Sequence, residues 1–302
     1  MFTYNGQIIT NNGNWLRGSV TPPHPDYNPL NLPANTMRVR TTDGEVPFKH
    51  SASGDTTTSY ETATLVSGTS DVYDVYKSGT DLSFLLYKSS NVAEVLGANT
   101  EGVTNMSHMF ECDSNSPSSL TTVALFDTSS VTNMSDMFGG TKVSTIPLYD
   151  TSNVLFMNNM FVMCDNLTTI PLLNTSSVRN TYGLFTDCIN LTSVPLLDLS
   201  SVLNMKYMFS HCIRLTEVPL FNTHNVTNMD ASFLGCRALT NIPLFDVTNV
   251  TSAVSTFADC VCVQSGAYNL YSQLSSKSIS VTSHSRTFYN CGDNSNIPSD
   301  WK

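Results

Sequence analysis

Between Val154 and Asn249 the apolar residues return on a fixed count. Val154, Val178, Val202, Val226 and Val250 are 24 residues apart. Phe161, Phe185, Phe209, Phe233 and Phe257 keep the same step, as do Cys164, Cys188, Cys212, Cys236 and Cys260, and Pro171, Pro195, Pro219 and Pro243. A strict period of this length marks a chain built from stacked, near-identical coils. In the coil Val154–Ser177, Val154, Met157, Met160 and Phe161 fall at i, i+3, i+6 and i+7, the spacing of one buried helical face. The second half of the coil, Leu167 to Leu172, reads as a short strand. One coil cannot bury this set of Val, Met, Phe, Cys and Leu alone, whereas a stack of coils makes one continuous core. The predicted fold class is an α+β repeat solenoid, with one short parallel strand and one short helical turn per coil.

The pattern extends both ways. Val131–Asn153 is a coil one residue short, with Gly139-Gly140-Thr141 where Phe-x-x-Cys ends elsewhere, and Val103–Ser130 carries an insertion, Asp113–Ser119. Gly79–Gly102 reads as a degenerate first coil. Val250–Ser280 keeps its front half and then inserts a helix around Ala267–Leu274. Val281, Phe288, Cys291 and Pro298 start a truncated last coil, and atypical ends of this kind shield an open core from water. Four segments follow: an extended arm and Pro-rich linker (1–35), a small β cap (36–78), the coil stack (79–280) and a C-terminal capping repeat (281–302). In the arm, Phe2, Tyr4, Ile8, Ile9, Trp15 and Leu16 are apolar anchors ahead of Thr21–Pro29, which proline keeps extended. They dock either on another molecule or on the chain's own coils. In the cap, Met37–Arg40, a Asp43-Gly44 turn and Glu45–Phe48 make a hairpin pattern. Thr62–Val66 and Val72–Tyr76 are two further strand candidates.

The segments Asp127–Met134 through Met137-Phe138, and Thr223–Met229 through Phe233–Cys236, resemble the BspA-like leucine-rich repeats. Within that family they are similar to the surface-protein repeat of lactobacteria and mycoplasmas; comparable arrays are familiar from gut bacteriophage proteins. The resemblance covers about two thirds of the chain. It implies a leucine-rich-repeat solenoid with a non-catalytic role in binding or scaffolding, and it names no ligand.

Repetition turns sequence positions into surface columns about 4.8 Å apart. If Ile170 and Leu172 point inward, strand alternation turns Pro147, Pro171, Pro195, Pro219 and Pro243 outward. The same alternation turns out Phe126, Tyr149, Leu173, Leu197, Phe221 and Phe245, and the two columns together form an apolar interaction stripe. If instead the chain turns directly after Leu172, the second column swings into the core. Proline lacks an N–H, so each coil forgoes a ladder bond and the strand stays short. A third column, Asp127, Asp150, Asn174, Asp198, Asn222 and Asp246, has the short polar side chains that cap following turns. Calcium between neighbouring carboxylates is the other reading of that column. Asn133 and Asp136 fit a helix N-cap and its N3 partner. His108 and His211 read as solvated.

Composition narrows the function. Only 13% of the 302 residues are charged and the net charge is −10, which disfavours nucleic acid and anionic lipid as partners. No stretch approaches the length of a membrane span. The N-terminal ten residues lack the basic and apolar regions of an export signal, which leads to a virion component made in the bacterial cytoplasm as the first expectation. A bacterial cell-surface adhesin and a carbohydrate-binding protein are the alternatives. Expected partners are other virion proteins, a host receptor (protein or glycan) or a further copy of the chain. The one-per-coil cysteines read as buried thiols rather than disulfides or zinc ligands. Asn166-Leu-Thr and Asn190-Leu-Thr match the glycosylation acceptor pattern, which matters only in a secretory pathway. No phosphate loop, nucleophile elbow or His-Glu metal motif is present, so no catalytic, cofactor or metal site is expected.

Overall fold

The β-branched and aromatic runs near the front of the chain form a sheet, and the sheet shows where the coils begin. The computed structural model describes residues 2–4, 7–9, 30–47, 60–276 and 281–302. Strands β1 (Phe2–Tyr4) and β2 (Gln7–Ile9) pair antiparallel, a hairpin where an extended arm was expected. Of the expected anchors, Phe2 and Tyr4 lie in β1, while Trp15 and Leu16 lie outside the described residues. A five-stranded sheet follows, built from β3 (Thr36–Thr41), β4 (Thr62–Leu65), β5 (Val72–Tyr76), β6 (Val92–Asn99) and β7 (Thr122–Val123) in the order β4-β5-β3-β6-β7. β4 and β5 form the hairpin their alternation suggests. Of the expected hairpin Met37–Phe48, Phe48 lies outside the described residues, and Glu45–Pro47 does not pair with β3, which pairs with β5 and β6 instead. Glu45 to Pro47 is held as loop, by the Asn91 amide donating to the Glu45 and Val46 carbonyls and by the Tyr60 hydroxyl donating to the Pro47 carbonyl.

The sheet runs on into the coils and then stops for a chemical reason. β6 and β7 belong to successive coils and pair in parallel, and the Ala124 N–H donates to the Val95 carbonyl. In the next coil the position of Ala124 is Pro147, which has no N–H to give. From there the strand halves keep a single cross-coil backbone bond, as in Thr168 to Ser144, Thr192 to Thr168 and Thr240 to Thr216, until the last pair, where Gln264 donates to Thr240 and Ile242 to Ser265.

The other half of each coil carries the continuous ladder. Isolated parallel bridges link Asp81, Asn105, Asn133, Phe156, Asn180, Asn204, Asn228, Ser252 and Ser283 in turn. The helical turn expected after each bridge does not form. Its N–H groups alternate between two uses: Asn159, Phe161 and Met163 donate to Tyr182, Leu184 and Thr186 of the next coil, while Met160, Val162 and Cys164 close tight turns within their own coil. A helix would need every one of these donors internally. The alternation requires left-handed backbone at two places per coil, as at Asn159 (φ 53) and Met163 (φ 57), or Asp187 (φ 59) and Gly183 (φ 62). The fold is therefore mostly β and turn, and the single α-helix among the described residues is the inserted α1, Ala267–Ser275. Gly266 opens α1 at φ 97, and a Cβ there would lie 2.1 Å from the Ile242 carbonyl oxygen.

Although no helix forms, the expected inward residues are inward. Val154, Met157, Met160 and Phe161 are fully buried, as are their equivalents in neighbouring coils. The phenylalanines stack in register from Phe110 to Phe288, with ring centroids 5.0–6.0 Å apart. Burial of each such ring contributes about 1.5–3 kcal/mol. At the C-terminal end Trp301 closes the stack, lying on His284 at 4.1 Å and edge-on to Tyr271.

All described cysteines are free thiols, and only Cys262 is exposed. Each repeat cysteine has a bonding role. The Cys188, Cys212, Cys236 and Cys260 thiols donate to the carbonyls of Phe161, Phe185, Phe209 and Phe233 in the preceding coil, at 3.0–3.1 Å. Burial keeps these thiols protonated; the Cys164 pKa is pushed up to about 12.

Candidate functional site

The strand half of the coil does not alternate. In the coil of Pro171, Leu167, Ile170 and Leu173 are buried, and the residues between them are not. Burial at every third residue is the periodicity of polyproline II, which has three residues per turn, and not of a β-strand. The chain also bends at the leucine. The N–H groups of Tyr149, Phe221 and Phe245 donate to the carbonyls of Pro147, Pro219 and Pro243, two residues back, which closes a γ-turn around Leu148, Leu220 and Leu244.

This corrects the expected stripe by one residue. Phe126, Tyr149, Leu173, Leu197, Phe221 and Phe245 are all buried. They form a second interior column, with Phe221 packed on Phe209 and Phe245 on Phe233. The Tyr149 hydroxyl donates to the Ala124 carbonyl, and burial raises its pKa well above the usual range. The outward column is Leu125, Leu148, Leu172, Leu196, Leu220 and Leu244, with exposures from 38% at Leu125 to 60% at Leu220 and Leu172 half-buried. Pro147, Pro171, Pro195, Pro219 and Pro243 are half-buried beside them. An apolar band thus runs along the coils, made of leucine and proline.

Its margins are polar in two ways. On one side the hydroxyls of Thr168, Thr192, Thr216 and Thr240 donate to carbonyls of the preceding coil. On the other, two residues after each leucine, Asp150, Asn174, Asp198, Asn222 and Asp246 accept the N–H two residues further on, at 2.9–3.2 Å. This capping is the role expected for that column. The bond from Thr248, with help from His224, brings the Asp246 pKa down to about 2.

The turn half presents a different surface, one that varies from coil to coil. The bridge asparagines Asn105, Asn133, Asn180, Asn204 and Asn228 cap the N–H two residues on, so Asn133 caps a turn and not a helix. Asp136 lies in the left-handed region (φ 57) and is not an N3 partner. Tyr182 and Tyr207 meet edge to face at 5.6 Å, and a shallow groove of about 360 Å³ runs past them to Asn159 and His211. Nearer the N-terminal end, His108, Glu111 and Asp136 place a nitrogen and two carboxylate oxygens within 4.8 Å of one another. His108 is not the solvated residue expected: it stacks on Phe84 at 4.5 Å, and its Nδ1 lies 2.5 Å from Glu111. The partners are separated in sequence by an insertion. Writing the coils as columns exposes them, since His108 and Asp136 both stand five residues after the first valine of their coils, Val103 and Val131.

Coils joined edge to edge around stacked phenylalanines, with a leucine-lined band outside, make this a repeat protein. The chain belongs to the family described as "Mycoplasma protein of unknown function, DUF285", which matches residues 80–195, 163–270 and 189–301. It is similar to a leucine-rich repeat protein of known crystal structure from Eubacterium ventriosum, at 24% identity and a TM-score of 0.34. That alignment covers 55% of this chain and 39% of the other, so the chain spans well under half of its neighbour's length. No curated protein matches. Among the described residues no helix is long and apolar enough to cross a membrane.

Proposed function

We propose that this chain is a non-catalytic recognition module, a leucine-rich-repeat solenoid that holds a protein partner against its leucine and proline band. The observation that carries the reading is the outward column from Leu125 to Leu244. Isolated exposed leucines need no explanation, but a contiguous apolar band with polar margins is the mark of an interaction surface. The partner's chemistry follows from the margins. Asp150, Asp198 and Asp246 flank the band, and the chain as a whole carries −10. An apolar ridge bordered by lysine or arginine is complementary, whereas a second copy would bring acid to acid. A family of repeat proteins without assigned function is compatible with a non-catalytic, adhesion-like role.

The test is adherence of the full chain to cells and to particles from its source, compared with a Leu196→Asp/Leu220→Asp/Leu244→Asp variant. Loss of binding with an unchanged unfolding midpoint supports the reading; equal binding overturns it. A second reading, glycan recognition, is favoured by the Tyr182–Tyr207 groove, where aromatic rings stand beside Asn159 and His211. In a glycan array it predicts binding that Tyr182→Ala removes and the leucine variant keeps.

A further inference from the structure

The trio His108, Glu111 and Asp136 does not recur. Residues that serve this fold repeat from coil to coil, as the Phe, Cys, Thr and Asn columns do. The column of His108 and Asp136 continues as Asn159, Gly183, Tyr207 and Ala231, and the column of Glu111 as Gly139, Val162, Thr186 and Ser210. Stacking the coils therefore does not require this set.

Its surroundings hold it in place. His108 (φ 56) and Asp136 (φ 57) share the same left-handed backbone, so adjacent coils project both side chains from equivalent positions. His108 Nε2 lies 3.9 Å from Asp136 Oδ2, while Nδ1 faces Glu111. Phe84 lies parallel to the imidazole, with 9° between the planes, and covers one ring face. Next to Glu111, the following coil has Gly139; a Cβ there would stand 3.3 Å from the Glu111 side chain, so a larger residue would crowd it. Asn159 of the coil beyond favours the charged form of Asp136. Among the described residues, neither carboxylate pairs with a lysine or arginine. Side-chain exposures of 31%, 25% and 14% leave the trio reachable from solvent on one side.

We infer that His108, Glu111 and Asp136 form a divalent-cation site, with zinc the favoured ion, that pins the coil of Val103 to the coil of Val131. One imidazole and two carboxylates are a zinc-type donor set. A neutral imidazole and two carboxylates balance a divalent charge, while a protonated imidazole leaves one negative charge over. Imidazole selects zinc over calcium or magnesium, which take oxygen ligands alone. Glu111 and Asp136 face different imidazole nitrogens, so binding turns both carboxylates to one of them, and the three protein ligands then leave a fourth position to water. Gly139, Phe84 and Asn159 play the orienting part that outer neighbours play at metal sites. The site uses columns of the turn half, so it stands or falls independently of the leucine band.

The experiment uses the full chain carrying Cys262→Ser, which removes the exposed thiol as a competing ligand. After chelator treatment, zinc, manganese and calcium chloride are titrated separately by calorimetry, and thermal unfolding is followed with each. The expected result is one zinc per chain, a raised midpoint with zinc, and no response to calcium. His108→Gln and Asp136→Asn should each weaken zinc binding at least tenfold. Cobalt(II) gives a readout that needs no trio variant to fold: visible bands without the near-ultraviolet thiolate band. The inference is overturned by zinc bound equally by His108→Gln, by a thiolate band with cobalt, or by no zinc binding. In that last case the trio is an ion pair only.

Discussion

Leu220 and Phe221 are neighbours in sequence, and the two readings of the strand half assign them opposite fates. Strand alternation puts Phe221 in solvent with Pro219. The three-residue period and the γ-turn at Leu220 put Phe221 in the core at 2% exposure and leave Leu220 at 60%. Truncating Phe221 to alanine removes a ring packed against Phe209 and Phe245, at 6.1 and 6.3 Å, and should cost about 3–5 kcal/mol. Leu220→Ala removes a side chain of which about two fifths is withdrawn from water. Full burial of leucine is worth about 1.5–3 kcal/mol, so its loss should cost about 1 kcal/mol or less. A gap of about 2 kcal/mol or more changes the folded-to-unfolded ratio by some thirtyfold. Urea unfolding followed by far-ultraviolet circular dichroism and by tryptophan fluorescence measures it. Coincidence of the two signals checks that coils unfold together, since repeat stacks can lose cooperativity. Equal costs, or a larger cost at Leu220, would refute the three-residue period and return the strand to simple alternation.

The remaining predictions test other parts of the architecture. In native buffer a thiol reagent should modify Cys262 rapidly and the buried repeat cysteines only on unfolding, as intact-mass spectrometry would show; rapid modification of Cys212 would remove it from the core. Cys212→Ala should cost about 0.5–1.5 kcal/mol beyond its small loss of volume, because the Phe185 carbonyl loses the thiol and keeps only the Cys188 N–H as donor, and Cys212→Ser should recover part of this in the same urea titration. Gly266→Ala should destabilise by at least about 1–2 kcal/mol from left-handed strain alone, with the backbone at Ile242 also forced to move; a neutral effect would mean α1 can be entered otherwise. Asp246 has a folded-state pKa of about 2, below its ordinary value of about 3.9, so its charge contributes stability that is present above pH ~4 and lost as pH falls toward 2. The difference in unfolding midpoint between wild type and Asp246→Asn should therefore shrink between pH 6 and pH 2.5, and a constant difference would exclude this linkage.

Identity of the interior was legible in the sequence because burial is set by a count. Val154 and Phe161 return in each coil from Val103 to Val281, Met157, Met160 and Cys164 in several, and whatever conformation joins them, a repeated apolar set must face a common core. The same logic located the inserted helix at Ala267–Leu274 and the capping role of the Asp and Asn column, whose side chains bond within two residues of themselves. Local backbone was not legible in this way. A 3, 6, 7 spacing satisfies a helix, but it also satisfies an arc of turns that gives every second N–H to the next coil, and only the neighbouring coil decides which. In the strand half the turn reading holds and the alternation does not, for a related reason. Proline removes the ladder bond, and without the ladder nothing enforces a two-residue alternation, so Pro219-Leu220-Phe221 bends and the aromatic ring turns inward. Meeting points between coils were legible only in part: the count puts His108 and Asp136 in one column, and the tertiary structure decides that they and Glu111 meet. His108, Glu111 and Asp136 come together because the insertion Asp113–Ser119 loops out and leaves the two columns in register.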